Sequence, residues 1–205
     1  MHDLDRKLCF IGDTWQNHTQ HQYWSQSRCS ALVSLEYAVA QESDWWAERQ
    51  FMCAVTNVAF KKQVVNAVAA RNPDWFSVIE NSSEICRDVQ IGKNTLINFH
   101  NVLYDGTEIG NHVTLTNFLM LSHDVKIKDM CHISPYSYLC FTDLQQGVCV
   151  GLRSSFPGKP HESISVAAWS NLAMDSRVTR SITEPGTYYG NRKLNNLSSL
   201  DIKIL

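Results

Sequence analysis

The stretch LSHDVKIKDMCHISP, residues 121–135, decides the fold. Its aliphatic residues Leu121, Ile127 and Ile133 recur every six positions, which matches neither the 3.6-residue period of a helix nor the two-residue period of a strand. Counting outward in sixes gives Ile79, Ile85, Ile91, Ile97, Leu103, Ile109 and Leu115 before it and Leu139 after it, without a slip. Four residues beyond these positions the side chains are mostly small: Ser83, Val89, Thr95, Thr107, Val113, Val125, Cys131 and Ser137, with Asn101 and Leu119 as larger exceptions.

One bulky aliphatic and one small residue per hexapeptide predicts a mainly β fold, a parallel β-helix in which each hexapeptide makes a flat face and a corner. Three hexapeptides, about eighteen residues, close a turn, and turns stack at about the 4.7–4.9 Å strand spacing. The core is then a set of aliphatic ladders, buried by stacking of neighbours. An ordinary β-sandwich would show period-two alternation and irregular turn signals instead. After Leu139 the register slips at CFTDLQQG and resumes at Val150 and Phe156; it breaks at PGKPHES, residues 157–163, and resumes at Val166, Leu172 and Val178. The coil is therefore expected to reach about residue 180, with PGKPHES as a protruding loop.

Residues 1–78 lie outside the repeat and read as a small α/β domain, ahead of a β-helix domain at 79–190 and a tail at 191–205. KLCFIGD reads as a buried strand and LVSLEYAVAQ as a helix capped by Ser34. FMCAV reads as a second strand, and TNVAFKKQVVNAVAARNP as an amphipathic helix burying Val58, Val65 and Val68 and ended by Pro73. The polar segment DTWQNHTQHQYWSQSR reads as a surface loop.

Composition narrows the class. The 205 residues are 44% hydrophobic and 19% charged with a net charge of −2, which gives no basic footprint for nucleic acid. No apolar run reaches membrane-span length, and Met1–Lys7 reads as charged sequence rather than a signal peptide. Seven cysteines, an odd number without a CxxC pair, read as packed free thiols in a reducing cytoplasm.

The hexapeptide run, the string SHDVKIKDMCHISP, the later VTRSITEPGTYYGNRK and the small α/β unit together resemble bacterial sugar-nucleotide amine N-acyltransferases of the left-handed β-helix class, and sialic acid O-acetyltransferase-like proteins. The left hand of the coil comes from this resemblance, since general connection rules favour the right hand. The resemblance implies acetyl-coenzyme A as acyl donor, a nucleotide-linked amino sugar as acceptor, and a cytoplasmic homotrimer with active sites between subunits. It implies that His123 of the His123-Asp124 pair is the catalytic base and that His132 contributes to the site. Phe141 occupies a position that is glycine in many relatives, and Leu152 and Ala173 fall on coils that hold the pantetheine arm. The Gly-rich loop after the family's first strand is missing. FIGD instead resembles the motif that ends the second strand, with Asp13 the match for one nucleotide-contacting acid and Gly12 in place of the other. The terminal family pattern survives only as Gly190, Asn191, Arg192 and Lys193.

Position 123 is neither the inward aliphatic nor the small corner residue, so its imidazole is expected to point outward. Acyl transfer from a thioester needs a base that titrates near neutrality, which histidine supplies. A turn of about eighteen residues places Asp105 below His123 and Phe141 above it. Asp124, by resemblance, or Asp105, by geometry, is expected to hold the imidazole tautomer, and the amide N–H near Phe141 to stabilise the oxyanion. His132 falls off this edge and is expected to face a neighbouring subunit. Two other classes stay open. One is a zinc site of γ-class carbonic anhydrase type, which the spacings of His100, His112, His123 and His132 do not match; no metal is expected. The other is a scaffold that keeps the coil without catalysis, which the missing Gly-rich loop favours and the His123-Asp124 pair opposes.

Overall fold

Hexapeptides close into a left-handed triangular coil in the computed structural model, which describes residues 6–12, 20 and 30–195. The first face stacks Val78–Ile79, Leu96–Ile97, Thr114–Leu115, His132–Ile133, Cys149–Val150, Asn171–Leu172 and Thr187–Tyr189 in parallel. The second face stacks Glu84–Ile85, Val102–Leu103, Met120–Leu121, Tyr138–Cys140 and Ser155–Pro157. The third stacks Gln90–Ile91, Glu108–Ile109, Lys126–Ile127, Thr142–Leu144 and Ile164–Val166.

The repeat aliphatics from Ile97 to Leu139 all point inward and are buried, and the small set from Thr95 to Ser137 is buried beneath them. Ile79, at the open lower end of the coil, remains 39% exposed because no described turn lies below it. The coil extends past residue 180: Thr187–Tyr189 adds a parallel strand, and Arg192–Lys193, read from sequence as tail, pairs antiparallel with it.

The corners from Asn94 to Gly147 each hold a residue with positive φ. Glycine supplies it at Gly106 and Gly147, but Asn94, His100, His112, Phe118, Asp124, Met130, Tyr136 and Phe141 also adopt it. A left-handed non-glycine costs about 1–2 kcal/mol, and a hydrogen bond to the turn below helps offset it, as from His112 N–H to the Lys93 carbonyl at 2.8 Å and from Met130 N–H to that of Asn111 at 2.9 Å. His100 and His112 are thus corner residues by backbone geometry.

Asn101, an exception in the small set, is fully buried. Its Oδ1 accepts the Leu119 N–H at 2.8 Å and its Nδ2 donates to the Asn98 carbonyl at 2.7 Å. Asn101→Leu is expected to destabilise the coil by about 1–3 kcal/mol, the cost of stranding a buried backbone donor; urea unfolding reads the loss.

Among the described residues the α/β unit has a three-stranded parallel sheet, β1 (Lys7–Ile11) between β2 (Ser30–Val33) and β3 (Arg49–Met52). Leu32 and Val33, assigned to a helix from sequence, end β2; Ser34 then caps α1 (Leu35–Val39), its side chain accepting from the Tyr37 N–H at 3.1 Å. After α2 (Ser43–Ala47), β3 leads to α3 (Val58–Val68), capped by Asn57. Lys61, Val64 and Val68 form the buried stripe of α3, so Val64 rather than Val65 packs inward. Gly12, at φ 104°, follows the central strand β1.

The unit covers the outer side of the first face. Phe10, Met52 and Phe76 pack with Leu96, the Cys53 N–H donates to Asn94 Oδ1 at 2.7 Å, and the ammonium of Lys62 lies 4.0 Å from the Trp169 ring centre. One face of the coil is therefore closed within the chain, while among the described residues the α/β unit leaves the shared corner of the other two exposed.

Candidate functional site

His123 stands exposed on the corner between the second and third faces, as its place in the hexapeptide predicts. Its ring lies between aromatic neighbours, with centroids 5.6 Å from Tyr104 and 6.4 Å from Phe141. Asp124 is the left-handed corner residue at φ 53°, and its N–H donates to the Asp105 carbonyl at 3.3 Å. The Asp124 carboxylate lies over Gly106, where a Cβ would collide with it. Among the described residues no hydrogen bond joins the His123 ring to Asp124 or Asp105.

The slip seen after Leu139 is a one-residue deletion at this corner. Leu121 aligns with Leu139 eighteen residues on, but Lys126 aligns with Asp143, only seventeen on. Phe141, left-handed at φ 43°, consequently takes the corner position above Asp124, with its ring 6.4 Å from that of His123. The shortened backbone brings the Phe141 N–H to the His123 carbonyl at 2.8 Å. The Phe141 amide, one candidate for the oxyanion donor expected near this residue, is committed to the coil. Beside it on the second face, Tyr138 stacks one turn above Met120 and is half-buried.

His132 does not join this site. It lies on the first face, opposite the corner that carries His123, and α3 of the same chain covers it, leaving 7% exposed. This corrects the expectation that it faces a neighbouring subunit, and the reason is the docking of the α/β unit. Beside it Lys61, fully buried, donates from Nζ to Thr114 Oγ1 at 2.5 Å and to the His112 carbonyl at 3.1 Å. Burial pulls Lys61 down to about 8. Burial, with the Lys61 charge second, pulls His132 down to about 3 and His112 down to about 4. Both imidazoles are therefore held neutral as packing groups. The His112 Nδ1 pairs with Asn94 Nδ2 at 2.7 Å, and Trp75 meets its ring edge-on.

Leu152 and Ala173 lie on the corner between the first and second faces, across the second face from His123. Asp13 lies outside the described residues, as does most of the segment read as a surface loop. The PGKPHES loop does protrude, closed by reciprocal backbone hydrogen bonds between Lys159 and Glu162, and it leaves the corner above Phe141. Gly158 permits this, since a Cβ there would strike the Cys140 and Phe141 carbonyl oxygens. With the next turn the loop encloses a cavity of about 480 Å³ whose ionic lining is Lys159, Arg177, Arg180 and Glu162. Three cations against one carboxylate suit an anionic ligand. Sequence reading missed this cluster because the loop breaks the period that would place Lys159 beside Arg177 and Arg180. It missed Lys61 because a lysine on a helix reads as solvated.

No protein-family model and no curated protein matches the chain. Solved structures do share its fold. The acetyltransferase domain of PglB from Neisseria gonorrhoeae FA1090, solved in complex with acetyl coenzyme A, is similar with a TM-score of 0.78 at 15% identity over 93% of this chain and 100% of that one. WeeI from Acinetobacter baumannii AYE gives 0.76 at 15% identity over 92% and 100%. A variant of perosamine N-acetyltransferase from Caulobacter crescentus, in complex with CoA and GDP-perosamine, gives 0.69 at 13% identity over 88% and 92%. Coverage of nearly the whole length means that the α/β unit and the coil are both part of the shared fold.

Proposed function

We propose that this chain is an acetyl-coenzyme A-dependent N-acetyltransferase that acylates the amine of a nucleotide-linked amino sugar in surface-glycan synthesis. The observation that carries the reading is the composition of one corner: an outward imidazole between two aromatic rings, with a cationic cavity above it on the same edge. The fold shared with acetyltransferases solved with acetyl coenzyme A and with GDP-perosamine supports it. In this reading Lys159, Arg177 and Arg180 hold coenzyme A phosphates, and the thioester reaches down the corner to His123. The acceptor amine, resting on Tyr104 and Phe141, gives its proton to His123 as nitrogen attacks the thioester carbon.

The reading includes a homotrimer. Leu152 and Ala173 are separated from His123 by the second face, so they meet a base only across a boundary between copies. That boundary has apolar material: Phe118, Met120 and Tyr136 are 45%, 41% and 60% exposed, and the Phe118 and Tyr136 rings stack at 5.0 Å.

One observation favours the non-catalytic scaffold, namely the commitment of the Phe141 amide to the His123 carbonyl. Titration calorimetry with coenzyme A separates the two. The enzyme reading expects wild type to bind, and Arg177→Ala combined with Arg180→Ala to weaken binding by about tenfold or more, the loss of two phosphate contacts. Undetectable binding by folded wild type supports the scaffold.

A further inference from the structure

Directly above Phe141 the corner widens. Cys140 pairs with Pro157 and Thr142 with Ile164, so residues 158–163 stand where the turn below has Phe141 alone. Both feet of this loop rest on that one residue. The Ile164 N–H donates to the Phe141 carbonyl at 2.9 Å. Gly158 comes so close to the same backbone that a Cβ there would lie 2.3 Å from the Phe141 carbonyl oxygen and 2.5 Å from that of Cys140. Both oxygens are held in place: Thr142 Oγ1 donates to the Cys140 carbonyl at 2.9 Å, and the Phe141 N–H is bound to the His123 carbonyl at 2.8 Å. Close approach of this kind needs a residue without a Cβ.

Lys159 follows Gly158 immediately, and reciprocal backbone hydrogen bonds between Lys159 and Glu162, at 3.3 and 3.0 Å, hold the loop closed. The loop thereby brings Lys159 to the cavity that Arg177 and Arg180 also line. The height of that next turn is fixed by the coil, where Arg177 stacks on Ser155 and the Val178 N–H donates to the Ser155 carbonyl at 2.9 Å. The height of Lys159 is fixed by the Gly158 seat, and the seat is bonded through Phe141 to the backbone of His123. A donor anchored by its phosphates and reacting at its far end depends on that span, since a misplacement of about 1 Å can cost about 10²-fold in rate.

We infer that Gly158 is a positioning residue for the acyl donor, an assignment that rests on the acetyltransferase reading. By seating the loop on the Phe141 peptide it sets the height of Lys159 above His123, and with it the reach of the thioester from the phosphates to the base. A side chain at position 158 pushes the loop off its seat and displaces Lys159, while Arg177 and Arg180 stay with the coil.

The test is a double-mutant cycle on kcat/KM for acetyl-coenzyme A, measured with the acceptor that wild type uses. Gly158→Ala is expected to lower it by about tenfold or more, the effect of losing one charge-assisted phosphate contact. Lys159→Ala is expected to lower it by a similar factor, and the two together by no more than about twofold beyond the larger single loss, because Gly158 acts through Lys159. The acceptor KM and the midpoint of the pH–rate profile stay at their wild-type values. Factors that multiply, or Gly158→Ala within about twofold of wild type, overturn the assignment. So does a shifted pH midpoint or acceptor KM, which marks a disturbed His123 corner. Should Gly158→Ala fail to fold, insertion of one glycine between Gly158 and Lys159 keeps the seat and displaces the lysine. The same loss is then expected, again absent in the Lys159→Ala background, and a multiplying loss or none overturns the assignment. Folded wild type that turns over no acceptor overturns the acetyltransferase reading instead.

Discussion

Replacing His123 by alanine is expected to lower turnover by about 10²- to 10⁴-fold, the range for a lost general base, while coenzyme A affinity stays near the wild-type value. The separation follows from the layout. His123 lies below the cationic cavity on the same corner and is not among the residues that line it. Single-turnover thiol release and calorimetry on the same preparations read the two quantities independently. Loss of affinity together with turnover would mean that the imidazole supports the corner mechanically. The Phe141 N–H bond to His123 is a main-chain bond, so the alanine variant retains it and such a result would have no ready origin in the backbone.

Acid is expected to unfold the protein from the covered first face. His132 and His112 are held neutral, chiefly by burial, with pKa values down at about 3 and about 4. The unfolded chain therefore binds more protons than the native one below the ordinary histidine value of about 6.5. Stability is fully present above that pH and is lost as pH falls toward the folded values. Around pH 5, His132 alone contributes a slope of about 1.4 kcal/mol per pH unit, and the less buried His112 adds a smaller share. His132→Leu is expected to flatten the curve of urea midpoint against pH between about 6 and 4. A wild-type curve already flat there would refute the burial of these imidazoles.

Lys61 works in a different window. Its pKa, depressed to about 8 by burial, means that stability rises with pH between about 8 and its ordinary value. The buried thiols Cys53 and Cys131, pushed up to about 11 and about 12, oppose that rise above about 9, because the unfolded chain then loses protons that the native one keeps. Subtracting the curve of Lys61→Met from that of wild type isolates the lysine contribution.

The coil was legible because a single constraint, one inward aliphatic per hexapeptide, repeats through eleven positions from Ile79 to Leu139. The outward direction of His123 followed from the same count. The local irregularities were visible only as breaks. The slip at CFTDLQQG could be located, but its consequence required the register that puts Asp143 on Lys126 and Phe141 on Asp124. His132 was misplaced for a related reason. The period assigns it to a face, yet which face the α/β unit covers depends on contacts such as Lys61 with Thr114, between residues 53 positions apart. Strand β2 was hidden because Leu32 and Val33 run straight into the apolar residues of α1, and periodicity cannot divide so short a stretch.

The central claim, acyl transfer at the His123 corner, is tested most directly by thiol release from acetyl-coenzyme A, measured for wild type and His123→Ala. The assay covers a panel of nucleotide-linked 4-amino and 3-amino sugars together with sialic acid. The account predicts turnover by wild type with at least one amino sugar and its collapse in the variant. Folded wild type that releases no thiol with any acceptor and binds no coenzyme A, or a variant that turns over as fast as wild type, would contradict it.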